Sequence, residues 1–87
     1  MPKMRAKFRI QTVTQMEGCE VIKMAAVAKT GPYPEDGSDE DNTYAKFSPQ
    51  GNLELTVANP ALLGQFKAGD KYYLDFTLAT ASTSIPQ

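Results

Sequence analysis

Apolar and polar residues alternate with a period of two over most of this chain. Met4, Ala6, Phe8 and Ile10 interleave with Arg5, Lys7, Arg9 and Gln11, the pattern of a half-buried strand with one wet face. Thr12, Val13 and Thr14 extend it with β-branched residues. Glu17-Gly18 offers a tight turn in which the glycine takes the positive φ. Val21 to Val27 then returns as a second strand, with Ile22, Met24 and Ala26 on one side. An alanine-rich helix competes for that segment, and hairpin pairing with the first strand favours the strand. Residues 42–47 resume strand character, and Ser48-Pro49-Gln50-Gly51-Asn52 has the chemistry of a hairpin turn. Leu53, Leu55 and Val57 alternate with Glu54 and Thr56 in the return strand. Asn59-Pro60 reads as an N-cap followed by a first-turn proline, predicting a short helix over 61–66. After Ala68-Gly69-Asp70, the residues Tyr72, Leu74, Phe76 and Leu78 mark the inward side of a closing strand.

These elements sum to β-β-loop-β-β-α-β. The expected fold is mainly β: a small five-stranded antiparallel barrel or curled sheet with one short helix, whose closure would remove exposed edges. Phe8, Ile10, Ile22, Met24, Phe47, Leu53, Leu55, Val57, Tyr72, Leu74 and Phe76 are its expected core. Residues 1–79 form a single domain carrying an acidic loop over 30–43, and 80–87 form a small polar tail, expected to be mobile unless a partner holds it.

Composition narrows the chemistry. Among 87 residues there is no His and one cysteine, Cys19. An internal disulfide, a structural zinc site and a Cys–His or Ser–His catalytic pair are thereby excluded within one chain. No apolar run approaches the roughly 20 residues that span a bilayer, and no apolar stretch follows the basic N-terminus, so neither a membrane anchor nor a signal peptide is expected. A reducing cytoplasm is the expected place of synthesis.

Charge is segregated. Residues 1–29 hold six Lys/Arg against two Glu, and residues 30–50 hold five acids against Lys46. The acids lie in "GPYPEDGSDEDN", residues 31–42. An EF-hand starting at Asp36 would put Ser38 at position 3, Asp41 at the position reserved for glycine and Phe47 at position 12, so the calcium pattern fails and no metal site or cofactor is expected. The ordinary reading is a solvated loop; the functional one is an arm that clasps a partner. Lys3, Arg5, Lys7 and Arg9 put cations on one face of one strand, either a simple wet face or a surface for an anionic partner. Aromatic residues do not interleave with them as in single-strand nucleic-acid binders, because Phe8 alternates to the opposite side. Cys19 has no activating neighbour, and Asp70 and Asp75 have nothing to prearrange them, so catalysis is not expected.

Lys7-Phe8 leading into Val13-Thr14, then Asn42 with "YAKFSPQGNLEL" (Tyr44–Leu55), then "NPALLGQFKAGDKYYLDF" (Asn59–Phe76) resemble a group of small proteins of tailed bacteriophages. The resemblance covers Met4 to Ala79 and consists of turns and core strands. It implies a viral origin and a compact β fold, and it transfers no site residue.

Together these readings point to a non-enzymatic structural protein of the virion, made in the host bacterial cytoplasm. It would act as a capsid-decorating or cement subunit that binds the capsid protein, copies of itself, or both. Partner contacts are expected from Arg5, Lys7 and Arg9 on one side and Tyr33, Asp39, Glu40 and Asp41 on the other. The alternative is an anti-defence protein that sequesters a nucleotide signal or inhibits a host enzyme, with Arg5, Lys7 and Arg9 taking phosphate. A single-stranded nucleic-acid binder is a third, weaker option.

Overall fold

A computed structural model describes residues 4–79. Lys3 of the cationic stripe and the polar tail over 80–87 lie outside the described residues. Four strands form one antiparallel sheet: β1 (Met4–Met16), β2 (Cys19–Ala26), β3 (Asn52–Val57) and β4 (Lys71–Phe76). Their spatial order is β3-β2-β1-β4. The first three strands follow one another across the sheet and the fourth returns beside the first, which is a Greek-key arrangement.

The β1–β2 hairpin forms as the alternation predicts. Met16 pairs with Cys19 across the two-residue turn, and the left-handed conformation falls on Gly18 at φ 79°. A bulge at Gln11 breaks the register between Ile10 and Thr12. One extra residue reverses the side-chain parity. Ala6, Phe8 and Ile10 therefore face one side before the bulge, and Val13 faces the same side after it. Ala6, Phe8, Ile10, Ile22 and Met24 are buried there and constitute the core.

Two crossings cover this apolar side. The connection over 58–70 passes from one edge of the sheet to the other and lays Phe66 against Tyr72, ring centroids 5.6 Å apart. Buried Glu20 fastens it, its carboxylate accepting a hydrogen bond from the Gly64 main-chain N–H at 3.2 Å. From the long loop, Tyr44 packs on the same cluster. The cover is incomplete: Leu55, Phe76 and Leu78 are 49%, 54% and 74% exposed. The Cα trace is only 16 Å across its thinnest direction.

The fold corrects the expected barrel in three places. The sheet is open and four-stranded, because residues 42–47 are turns instead of a strand: the Ala45 N–H bonds back to the Asn42 carbonyl, and Phe47 sits at φ 62°. The hairpin expected around Pro49 consequently has no first strand. The helix expected over 61–66 is a single 3₁₀ turn, Pro60–Leu62. Asn59 caps it as predicted, accepting from the Ala61 N–H at 3.0 Å. Leu63 already leaves the helical region at ψ 139° and Gly64 follows at φ 85°, so the segment stays too short to repay helix nucleation. Finally Phe47, Leu55, Phe76 and Leu78, all expected to point inward, are exposed, because a barrel interior does not exist to receive them.

The remaining part of the loop has a structural duty. β1 extends beyond the reach of β2, which ends at Ala26, so the inner edge of Arg5 and Lys7 needs other partners. Asn42, fully buried, supplies them. Its Oδ1 accepts from the Lys7 main-chain N–H at 2.8 Å, and its Nδ2 donates to the Val27 carbonyl at 2.7 Å. Thr43 completes the seam: its N–H donates to the Arg5 carbonyl at 3.0 Å, and its hydroxyl oxygen accepts from the Arg5 N–H at 2.9 Å.

Replacing Asn42 by Ala strands a buried N–H and a partly buried carbonyl. The expected loss is about 2–4 kcal/mol of unfolding free energy, measured by urea denaturation. A loss below about 0.5 kcal/mol, the size of an ordinary surface substitution, would refute this role.

Candidate functional site

The loop that carries the acids wraps around the edge of β1, and three nearby residues take three directions. Asn42 lies in the plane of the sheet, Tyr44 reaches the apolar side, and Asp41 reaches the polar side. There Asp41 is 9% exposed and holds Lys7, also 9% exposed, with Nζ to Oδ2 at 3.1 Å. Its other oxygen accepts from the Tyr73 hydroxyl at 3.1 Å. Arg5 lies across from Asp75 in the β1–β4 ladder and grips it with two bonds, Nε to Oδ1 at 2.7 Å and Nη2 to Oδ2 at 3.2 Å. Its guanidinium carbon sits 4.6 Å from the centroid of the Tyr73 ring. The hydrogen bonds Arg5 donates to Asp75 and the attraction of the Asp75 charge raise the Arg5 pKa further above its already high ordinary value.

Asp39 organises the loop from within. It is 3% exposed. Its Oδ1 accepts from the N–H groups of Asp41 and Asn42 at 2.9 and 3.1 Å, and its Oδ2 from the Lys29 N–H at 3.1 Å and from Asn42 Nδ2 at 3.2 Å. Burial pushes the carboxyl up, but the Asn42 amide and the three main-chain donors outweigh it and hold the group below its ordinary 3.8. Tyr33 packs edge-on against Phe47 at 5.6 Å. The Phe47 ring in turn occupies the space above Gly37, where an added Cβ would collide with it. The hydroxyls of Tyr33 and Tyr44 are buried with no hydrogen-bond partner among the described residues. Burial first, and then the nearby Asp39 charge, raises the pKa of both phenols. An open groove of about 470 Å³ runs beside this loop, lined by Ser38, Asp39, Glu40, Thr43, Tyr44, Ala45 and Lys46.

The residues expected to contact a partner thus fall into two groups. Lys7, Asp39 and Asp41 are buried and engaged inside the chain, and Tyr33 is half-buried. Arg5 is held by Asp75. Glu40 remains at the surface, within 3.4 Å of Lys29 Nζ, and Arg9 is exposed with no ion-pair partner among the described residues. The loop is therefore not a freely solvated arm, and the three cations do not form an open phosphate cradle. Arg9 instead faces Lys71 across the β1–β4 ladder, a like-charge pair at the surface. Sequence reasoning missed Asn42 and Glu20. Asn42 looked like one more polar loop residue, and the only hint for Glu20 was its place in phase with Ile22 and Met24.

Among the described residues no three metal-ligating side chains converge, and no helix is long and apolar enough to cross a membrane. Comparisons with protein-family models, with curated proteins and with solved structures gave no match to this chain.

Because the folded Asp39 carboxyl titrates below its unfolded counterpart, its stabilising contribution is complete above the unfolded value, about pH 4, and is lost as pH falls through the folded one. Asp39→Asn should lower stability at pH 7, and the gap between wild type and variant should narrow as pH drops from about 5 to about 2. Urea denaturation at several pH values reads this, and a gap independent of pH would contradict it.

Proposed function

We propose that this chain is a non-enzymatic binding subunit that lays the uncovered apolar side of its sheet against a protein partner. The observation that carries the reading is the apolar end of the sheet. Met4 and Phe76 are cross-strand neighbours, both exposed, and Leu78 lies just beyond them. Apolar side chains collected at one end of a thin sheet mark an interaction surface more often than scattered ones do. Each large apolar side chain fully buried on docking contributes about 1.5–3 kcal/mol, enough for several to support a useful contact.

The proposed partner is the capsid lattice of a tailed bacteriophage, with the chain acting as a decorating or cement subunit. The resemblance of the Tyr44–Leu55 and Asn59–Phe76 segments to small phage proteins supports this choice. A subunit that binds only the assembled lattice stabilises it by mass action, without any chemical step. Nucleotide sequestration has less support, because Arg5 and Lys7 are occupied by Asp75 and Asp41.

Mass spectrometry of washed virions from the parent phage tests the reading. The expected result is this chain at tens to hundreds of copies per particle, and its absence would discard the cement role. The double variant Phe76→Ser/Leu78→Ser, which touches only exposed positions, should fold normally and occupy particles at least roughly tenfold less than wild type. Unchanged occupancy would move the contact away from this end of the sheet.

A further inference from the structure

The outer edge of β4 is open among the described residues. Its hydrogen-bond parity follows from β1. Ile10 bonds toward the β4 side, donating to the Asp70 carbonyl at 2.9 Å and accepting from the Gly69 N–H at 2.8 Å. Lys7 and Arg5 bond toward the opposite side, to Val27 and Thr43. Alternation then assigns Tyr72, Leu74 and Phe76 to the inner ladder and turns the main-chain groups of Lys71, Tyr73 and Asp75 outward.

From this edge we infer that the chain pairs with a second copy of itself, β4 against β4, antiparallel, with the two-fold axis at Tyr73. The inference does not depend on the docking reading above and uses the edge of the sheet in place of its apolar side, sharing only Phe76 with it. In this register Tyr73 exchanges both main-chain hydrogen bonds with Tyr73 of the second copy, and Lys71 lies opposite Asp75 of the second copy, twice by symmetry. Lys71 lies opposite Arg9 within its own chain, and the pairing adds an opposite charge on its other side. Asp75 keeps Arg5 and gains Lys71 of the second copy. On the apolar side Tyr72 meets Leu74 of the second copy, and exposed Phe76 reaches Tyr72 of the second copy diagonally.

Other registers lack this fit. A two-fold at Lys71 or at Asp75 places like charges opposite each other, which is destabilising. A two-fold at Tyr72 or Leu74 leaves no Lys–Asp pair. The opposite edge of the sheet, β3, turns Asn52, Glu54 and Thr56 outward by the same alternation, and self-pairing about Glu54 would oppose two carboxylates. The result is an isologous dimer with a continuous eight-stranded sheet. A strand-edge contact is smaller than the roughly 1,200–2,000 Å² of a stable interface, so the association is weak and concentration-dependent.

Sedimentation equilibrium of the full chain should show the mass rising from 9.5 kDa toward twice that value between about 10 µM and 1 mM. Lys71→Glu gives the sharpest contrast. Within one chain it sets a carboxylate opposite Arg9, so the variant should be at least as stable as wild type. Between copies it opposes Asp75, so dimerisation should weaken by roughly tenfold or more. Opposed Tyr73 Cα atoms would lie about 5.5 Å apart, within disulfide reach. Cys19→Ser/Tyr73→Cys should therefore form a dimer under mild oxidation, and Cys19→Ser/Lys71→Cys should not. A monomer throughout that range, a dimer indifferent to Lys71→Glu, or equal cross-linking at both positions would each overturn the inference.

Discussion

The architecture depends on the buried Asn42 side chain. A strand of 13 residues beside a partner of 8 leaves main-chain groups that must find bonds elsewhere or bear the cost of burial without them. Asn42 is the right size and has the right groups: one acceptor for the Lys7 N–H, and two donors shared between the Val27 carbonyl and the Asp39 carboxylate. With Asn42 in place the β2 side of β1 is bonded from Arg5 onward, β4 pairs with its first half, and β1 can serve as a central strand. The rest of the polar side then follows. Asp41 is delivered to Lys7, Tyr73 to Asp41, and Arg5 is left to Asp75. Asp39 stands behind Asn42 and holds it, so the acidic loop is part of the sheet's framework despite its composition.

The strands were legible because they rest on a local rule. Period-two alternation needs no knowledge of the rest of the chain, and the Gly18 turn and the Asn59-Pro60 cap are equally local. The errors share one cause. Residues 42–47 have strand character by composition, but whether such a segment pairs depends on what already occupies the neighbouring edge, and the Asn42 side chain and Thr43 bond there as a turn. The bulge at Gln11 was invisible for a similar reason: it inserts a residue into the alternation of β1 where polar residues already cluster. The barrel was expected from an inward residue count that treated Phe47, Leu55 and Phe76 as core, whereas the described residues form a single sheet with no second one to cover them.

The candidate site was legible as composition and not as geometry. Opposite charges in the two halves of the chain do meet, but within one molecule: Lys7 with Asp41, Lys29 with Glu40. Segregated charge along a sequence cannot distinguish an intramolecular pair from an intermolecular one, because the distinction lies in which elements the topology brings together. Burial separates them. Asp39 and Asp41 are spent on the fold, and the residues left for partners are mostly apolar ones at the end and edge of the sheet, joined by Arg9 and Lys71.

The two open surfaces lie in perpendicular directions. Edge pairing through β4 extends the sheet in its own plane, whereas docking through Met4, Phe76 and Leu78 buries the apolar side along the sheet normal. Occupying one therefore does not block the other, apart from the flank of Phe76 that both would touch. Pairing about Tyr73 would also set two apolar faces side by side on the same side of one continuous sheet. A dimer could then meet a repetitive surface at two points, and two weak contacts linked in this way bind far more tightly than either alone. A small sheet with five buried core side chains among the described residues has little stability to lose to a built-in high-affinity site, and weak contacts multiplied by symmetry ask less of it than one strong contact would.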